Sequence, residues 1–445
     1  MTSLRALAVE ILVRVERDRA FAAPLLAARE GSLAPRDRPL LRTIVRSVLR
    51  NRSLLDHVLS RRLSRPLEGL DPDVRAALRT GAAQLLLLDR IPAHAAVGET
   101  VEAVRERSAR AAGLVNAVLR RVTREGKPPR VVLPPGTDPV TRLALETSHP
   151  EWLVRRWFAD LGPEAAEAAM RDDDVDAPVD VLLDPRGEDL ERFREHLREE
   201  GLEGEPSPWA PLALTLSSPA AGSHPAIASG RLAVVDVAAQ AMCELVEAAD
   251  VVVDLAAAPG GKTRTLLARG KARRVIALER NPTRSRRLAA GLLAAGRRDE
   301  VLVVRADSAR PPLPRETFRS VLLDAPCSGT GTLRKNPEIR WRLSPDDLPA
   351  LARVQQALLH SALDVCAPGG SVVYVTCSLE PEENEGVVAV VLSARADAAT
   401  ERPGGDELPA PLRAALRLDG FFRVPPGASN DGFSAVVLRK SGGSR

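Results

Sequence analysis

Two cysteines stand where a sheet could present them to a reagent. Cys327 lies in VLLDAPCSGTGTLRKNPEIRW and Cys377 in VVYVTCSLEPEENE. Each directly follows an apolar run and is flanked by polar or turn residues. Cys243 and Cys366 lack that setting and read as small core hydrophobes. A thiolate is a strong nucleophile and can carry a covalent intermediate. Asp324 places an acid just ahead of Cys327. A second thiol can help resolve a covalent adduct formed by the first. With four cysteines in 445 residues and no CxxC pair, neither a disulfide framework nor a zinc site is indicated.

The elements that must hold these residues begin near Leu232. Short Val/Leu runs fall at Val251–Leu255, Val275–Leu278, Val301–Val304, Val321–Leu323 and Ser371–Val375. Helical patterns such as Thr283–Ala295 and Pro349–Cys366 separate them. Strands that alternate with helices predict a parallel sheet covered on both faces. Both cysteines then emerge at one edge of it. FSAVVLRK reads as a final edge strand, and the Pro/Gly/Asp-rich stretch between Ala394 and Pro411 as a mobile loop.

At the same edge, VVVDLAAAPGGKTRTLLA ends a strand at Asp254 and Leu255 and opens a helix near Thr263. Small residues let a ligand approach the backbone, and a helix N-terminus offers free N–H groups. A dinucleotide would require GxGxxG, which is absent. A nucleoside triphosphate would require a glycine where Ala256 stands, so GGKT is not a phosphate-binding loop of that kind. S-adenosylmethionine has no phosphate and needs an acid for its ribose hydroxyls at the next strand end. Glu279 stands there, and Asp307 follows the strand after it, placed to receive an adenine amino group. A strand-end acid alone is usually a solvated one; several at successive ends beside this loop point to a cofactor site.

A sulfonium methyl donor beside a thiol suits one reaction well. Carbon 5 of cytosine is too weak a nucleophile to take a methyl group unaided. A thiolate adding to carbon 6 makes carbon 5 enamine-like, and an acid near the ring nitrogen, here Asp324, stabilises the adduct.

DLAAAPGGKT, DAPCSGTGT with RKNPEIRW after it, and YVTCSLEPEENE together resemble the motifs of the RNA cytosine-5 methyltransferase family, over most of Asp254–Glu385. The resemblance implies that Cys377 is the nucleophile and Cys327 assists product release. It carries cofactor contacts to Ala256, Ala257, Ala258, Pro259, Gly260, Gly261, Lys262, Glu279, Asp307 and Asp324. Glu279 departs from the family's usual aspartate by one methylene. Val235, in RLAVVDVAAQAM, departs from its usual glutamine, and no function is assigned there.

The first 125 or so residues read as helices, with Leu4, Leu7, Ile11, Leu12 and Val15 on one face and Leu78, Ala82, Leu85 and Leu86 on another. LRTGAAQLLLLDRIPAHAAVGETVEAV with AGLVNAVLRRV resembles the NusB-type RNA-binding fold. Its polar positions are His94, Glu99, Asn116 and Arg120, residues that serve helix ends as often as ligands. Arg42, Arg46, Arg50 and Arg52 recur along one segment and suggest a phosphate-facing stripe, although a solvated face explains any one of them equally well. Arg334, Lys335 and Asn336 suggest an RNA grip after Cys327. The NusB-like part joined to such a methylase is similar to the bacterial RsmB (Sun) type, which modifies a cytosine of small-subunit ribosomal RNA.

Composition sets outer limits. Lysine occurs at Lys127, Lys262, Lys271, Lys335 and Lys440, and arginine supplies the remaining positive charge, with a net charge of +4. An arginine-rich, basic chain fits a nucleic-acid partner. The first residues carry charges within their apolar pattern, unlike a signal peptide, and no apolar run is long enough for a membrane span. The expectation is a cytoplasmic, metal-free, monomeric enzyme acting on RNA. Its parts are an all-α NusB-like domain (1–135), a small α+β connecting subdomain (136–230) and an α/β Rossmann-like methylase domain (231–445). Transfer RNA is the alternative substrate. A non-catalytic RNA-binding or antitermination factor is the alternative class, but it would not need both thiols and Asp324.

Overall fold

The computed structural model describes residues 3–105, 107–125, 133–218, 222, 224–404 and 407–442. Part of the expected linker, residues 126–132 with Lys127, lies outside the described residues. The chain divides into two compact units.

The first unit comprises Met1–Val175 together with Leu333–Leu343. It is helical, with helices at Leu4–Asp18, Ala22–Glu30, Arg38–Arg50, Arg52–Ser60, Pro72–Leu87, Ala93–Arg105 and Ala112–Glu125, followed by Pro139–Glu146, Glu151–Leu161 and Pro163–Asp172. Ser3 caps the first helix by accepting the Ala6 N–H at 3.1 Å, and Asp71 caps Pro72–Leu87 through the Asp73 N–H. Ile11 and Leu78 from the stripes read in sequence are fully buried in the core, together with Leu41, Ile44, Leu55, Leu59 and Leu119. Each such side chain contributes about 1.5–3 kcal/mol on burial.

Leu333–Leu343 is part of this unit and not a free loop. Arg340 is buried, and its guanidinium donates to the carbonyl oxygens of Arg50 (3.1 Å), Thr147 (3.1 Å) and Asp173 (3.2 Å) and to Asp174 Oδ1 (3.0 Å). Trp341 Nε1 donates to Leu49 O at 2.7 Å, and Glu338 accepts the Ala22 N–H at 2.8 Å. Arg334 is 2 % exposed. Of the expected RNA grip, Arg334 is buried while Lys335 and Asn336 are half-buried, and the segment that follows turns inward because backbone carbonyls receive the Arg340 and Trp341 donors. Beside it, His149 Nε2 lies 3.3 Å from Asp173 Oδ2, and both are buried. Burial drives the His149 pKa well down and lifts that of Asp173 to about 7.

The second unit, Asp176–Thr332 with Ser344–Arg445, holds two sheets. Strands β1 (Val179–Leu183), β2 (Gly204–Pro206), β3 (Ala213–Leu216) and β4 (Leu232–Val234) form a small antiparallel sheet in the order β2-β3-β1-β4. The helix Leu190–Glu199, capped by Asp189, completes the expected α+β part.

The large sheet contains β5 (Ala249–Asp254), β6 (Ala272–Leu278), β7 (Val301–Val304), β8 (Phe318–Asp324), β9 (Cys366–Thr376), β10 (Ala398–Glu401), β11 (Phe422–Val424) and β12 (Phe433–Lys440). Its order is β10-β12-β9-β8-β5-β6-β7, with β11 also paired to β12. The strands from β9 to β7 run parallel, and β12 is antiparallel to β9. The order reverses between β5 and β8, which opens a crevice outside the carboxyl ends of the strands. Two expectations change here. β12 is no edge strand: it lies between β9 and β10, and Val436 and Leu438 are buried on it. The stretch between Ala394 and Pro411 supplies β10 and the start of the helix Ala410–Ala414, while residues 405–406 lie outside the described residues. Among the described residues, no helix is long and apolar enough to cross a membrane.

Candidate active site

Each candidate residue sits at or just beyond the carboxyl end of a strand. β5 delivers the turn Leu255–Gly260, β6 delivers Glu279, β7 leads to Asp307, β8 ends on Asp324 and leads to Cys327, and β9 leads to Cys377. Asp254 is buried at the root of the first turn, where it accepts Thr263 Oγ1–H at 2.7 Å and the Ala256 N–H at 3.4 Å. Burial raises its pKa to about 6. Gly260 has φ 110°, a left-handed value, and a Cβ there would lie 2.7 Å from Leu288 Cδ1.

A cleft of about 630 Å³ opens beside the turn. Ala256, Ala258, Glu279, Asp307, Asp324, Cys327 and Cys377 line it, so seven of the sequence-derived residues meet at one site. Pro259, Gly260, Gly261, Lys262 and Ala257 do not line this cleft; they face a second cavity of about 320 Å³ that also reaches Asp324. Glu279 is 6 % exposed. Its Oε1 accepts the Asn281 N–H at 2.7 Å, and Arg284 Nε lies 3.3 Å from Oε2. Asp307 is about half exposed and caps the following turn through the Ala309 N–H. Arg353 and Val354, on the helix Leu348–Val365, also line the cleft. Helical spacing alone marks these two positions, with no signal of a functional role.

The two thiols meet: Cys327 Sγ and Cys377 Sγ are 3.3 Å apart. Hydrogen bonding to Cys377, then burial, then the negative charges nearby hold the Cys327 thiol well above its ordinary pKa, so Cys327 keeps its proton. Lys262 Nζ lies 2.8 Å from Asp324 Oδ2 and 4.9 Å from the centre of the Phe433 ring. Burial opposes the Lys262 charge, but the adjacent Asp324 outweighs it and the pKa rises. The site therefore holds a proton-bearing thiol, a second thiol against it, and a cation–carboxylate pair. Cys243 is buried with its pKa raised by burial, and Cys366 is pushed up to about 11, as core thiols should be. Among the described residues, no group of three or more His, Cys, Asp or Glu side chains could hold a metal ion.

Sequence comparison is decisive here. Ribosomal RNA small subunit methyltransferase B of Pasteurella multocida is 32% identical, covering 99% of this chain and 96% of that protein. The chain belongs to the 16S rRNA methyltransferase RsmB/F family. The RsmB/F family model matches residues 242–439, the ferredoxin-like domain of RsmF/B-like methyltransferases matches 149–222, and the NusB family matches 2–124. The probable ribosomal RNA small subunit methyltransferase B of Bacillus subtilis is 30% identical over 99% of both chains. The crystal structure of PH0851 shares the fold, with a TM-score of 0.80 and 24% identity over 99% of each chain.

The NusB-like region of this RsmB/F-family chain carries a groove of about 570 Å³ lined by His94, Asn116 and Arg120 among others, while Glu99 pairs with Arg5 at 2.7 Å. Arg42, Arg50 and Arg52 of the expected arginine stripe turn to partners within the protein. Arg42 pairs with Glu30 at 2.5 Å, Arg50 donates to Arg334 O at 3.2 Å, and Arg52 lies 3.3 Å from Glu16 and over the Trp341 ring. Local carboxylates, a carbonyl and an aromatic ring take up these guanidinium groups.

Proposed function

We propose that this RsmB/F-family enzyme methylates carbon 5 of a cytosine in 16S ribosomal RNA, with Cys377 as nucleophile and S-adenosylmethionine as methyl donor. The observation that carries the reading is the thiol pair at 3.3 Å beside Lys262–Asp324, at the wall of the cleft.

The cleft suits the methyl donor. Its volume of about 630 Å³ falls within the range of nucleoside-sized pockets. Glu279 presents a nearly buried carboxylate of the kind that takes two vicinal ribose hydroxyls, and Asp307, Ala256 and Ala258 border the same space. When bound, S-adenosylmethionine supplies an electrophilic methyl group on a sulfonium.

The protein's own residues account for the remaining steps. The Cys377 thiolate forms a bond to carbon 6, and the displaced electron pair moves into the ring toward the nitrogen that Asp324 attends. Carbon 5 would then take the methyl group, whose bond to the sulfonium sulfur breaks and leaves its electron pair on that sulfur. The carbon-5 proton passes to water, its bonding pair restores the carbon 5–carbon 6 double bond, and the sulfur–carbon 6 bond breaks with its electron pair left on the Cys377 sulfur. Cys327, which holds its proton against Cys377, assists that departure. Lys262 keeps Asp324 paired and a positive charge near the thiols. A base held in a helix stack cannot reach Cys377, so the substrate is a single-stranded or flipped-out cytosine. RNA binding is assigned to the NusB-like domain, residues 1–135, and chemistry to residues 231–445.

Cys377→Ala should abolish methyl transfer while cofactor binding persists, and bisulfite sequencing of the RNA should lose the modified cytosine. Undiminished turnover would remove Cys377 from the nucleophile role. Cys327→Ala should accumulate an RNA–protein adduct that survives denaturing electrophoresis.

A further inference from the structure

We propose that Glu383 is a positioning residue: its carboxylate clamps the turn after each cysteine and so fixes the spacing of the two thiols. The proposal rests on the assignment of Cys377 as nucleophile and Cys327 as its partner.

Glu383 is 0 % exposed. Oε1 accepts the Ser328 N–H at 2.8 Å and the Gln355 side-chain amide at 2.8 Å. Oε2 accepts the Ser378 hydroxyl at 2.6 Å and also the Ser328 hydroxyl. Ser328 directly follows Cys327, and Ser378 directly follows Cys377. One carboxylate therefore holds both cysteine turns. Gln355 reaches in from the helix Leu348–Val365 and donates as well to Pro326 O at 3.0 Å, on the other side of Cys327. The Glu383 backbone is itself pinned, since the Tyr374 hydroxyl donates to its carbonyl oxygen at 2.6 Å.

The residue type follows from the donor count. Four donors, all neutral, converge on one side chain. Only an ionised carboxylate offers two acceptor oxygens with no donor of its own; a glutamine would turn an N–H₂ toward the two hydroxyls. A buried carboxylate without a cation is costly unless it is fully hydrogen-bonded, so the site has been built around this group. Charge gives the clamp a second consequence. Cys377, Glu383, Asp324 and Tyr374 surround Cys327, and the negative charge of Glu383 is among the influences that favour its protonated form. Fixed spacing and a fixed proton together leave Cys377 as the sulfur that attacks.

The test uses the full-length protein with an RNA substrate and S-adenosylmethionine. For Glu383→Gln, kcat should fall about 100-fold, the scale of a 1 Å misplacement, with KM for RNA and cofactor affinity unchanged. Alkylation of Cys327 by iodoacetamide should begin at lower pH than in the parent. Glu383→Asp should recover part of the kcat, because the charge returns on a shorter arm. A Glu383→Gln enzyme with parental kcat and parental alkylation profile would overturn the proposal. If that variant loses cofactor binding through misfolding, Ser328→Ala and Ser378→Ala decide instead, each deleting one hydroxyl from the clamp. Both should lower kcat at constant KM, and parental kcat in both would overturn it. Cys377→Ala, run in parallel, separates the two claims. If it retains turnover, the nucleophile assignment fails. If it is inactive while the Glu383 and serine variants are unimpaired, only the clamp fails.

Discussion

Arg340 in the first unit and Glu383 in the second are both buried charges, yet their neighbours are of opposite kinds. Arg340 spreads its donors over the carbonyl oxygens of Arg50, Thr147, Ser148 and Asp173 and over Asp174, gathering the ends of separate helices. Glu383 gathers two hydroxyls, an amide and a backbone N–H, all within reach of the thiols. The guanidinium joins backbone to backbone, and nothing reactive depends on its fine position. The carboxylate joins two turns that carry reactive atoms. Burial of a charge therefore serves architecture in one unit and the geometry of chemistry in the other.

The contrast can be broken most forcefully at Arg340. Arg340→Met strips a buried charge from Asp174 and the carbonyls and should cost about 3–5 kcal/mol in urea unfolding. A variant as stable as the parent would show that the segment Leu333–Leu343 does not need its clamp. Gln355→Leu is the milder counterpart. It removes one of four donors from Glu383 and should cost about 1–3 kcal/mol. Unlike the arginine change, it should also lower kcat in variants that remain folded; a loss of stability with kcat unaltered would place Glu383 with Arg340 as architecture only.

Asp254 gives the smallest effect and a finer distinction, being a buried acid with one hydroxyl partner and few other donors. Its folded-state pKa of about 6 lies above the ordinary aspartate value of about 3.9. The folded protein then binds the proton more tightly than the unfolded chain. The stability this contributes is full below about pH 4 and is lost as pH rises through 6. Asp254→Asn should flatten that part of the stability profile in unfolding titrations between pH 4 and 7, and an unchanged slope would count against the buried protonated acid.

Much of the second unit was legible because its chemistry lies next to its strands. Asp254, Glu279, Asp324, Cys327 and Cys377 each follow an apolar run, so their common edge could be read from order alone. The clamp was not legible. Ser328, Gln355, Ser378 and Glu383 come from separate elements, and only the folded sheet brings them together. In RKNPEIRW the motif was legible but the burial of Arg340 was not, because it depends on carbonyl oxygens at distant helix ends that receive its donors. The interior place of β12 was hidden as well, since a strand late in the chain has no sequence mark for the neighbour it will pair with. The short strands β2, β3 and β4 carry too few residues for any period to show.

The place of β12 has a consequence for the order in which the enzyme matures. β12 pairs with β9, the strand that ends on the Cys377 turn, and Gly331 bonds both ways: its N–H donates to Cys377 O at 2.9 Å, and its carbonyl accepts the Gly432 N–H at 2.6 Å. A Cβ on Gly331 would lie 2.1 Å from the Gly432 carbonyl oxygen, so the two backbones touch directly. A nascent chain that has emerged only as far as β9 has an open strand edge and lacks this brace. During synthesis this brace on the Cys377 turn can form only after Gly432 and β12 have been translated, later than every residue of the Glu383 clamp.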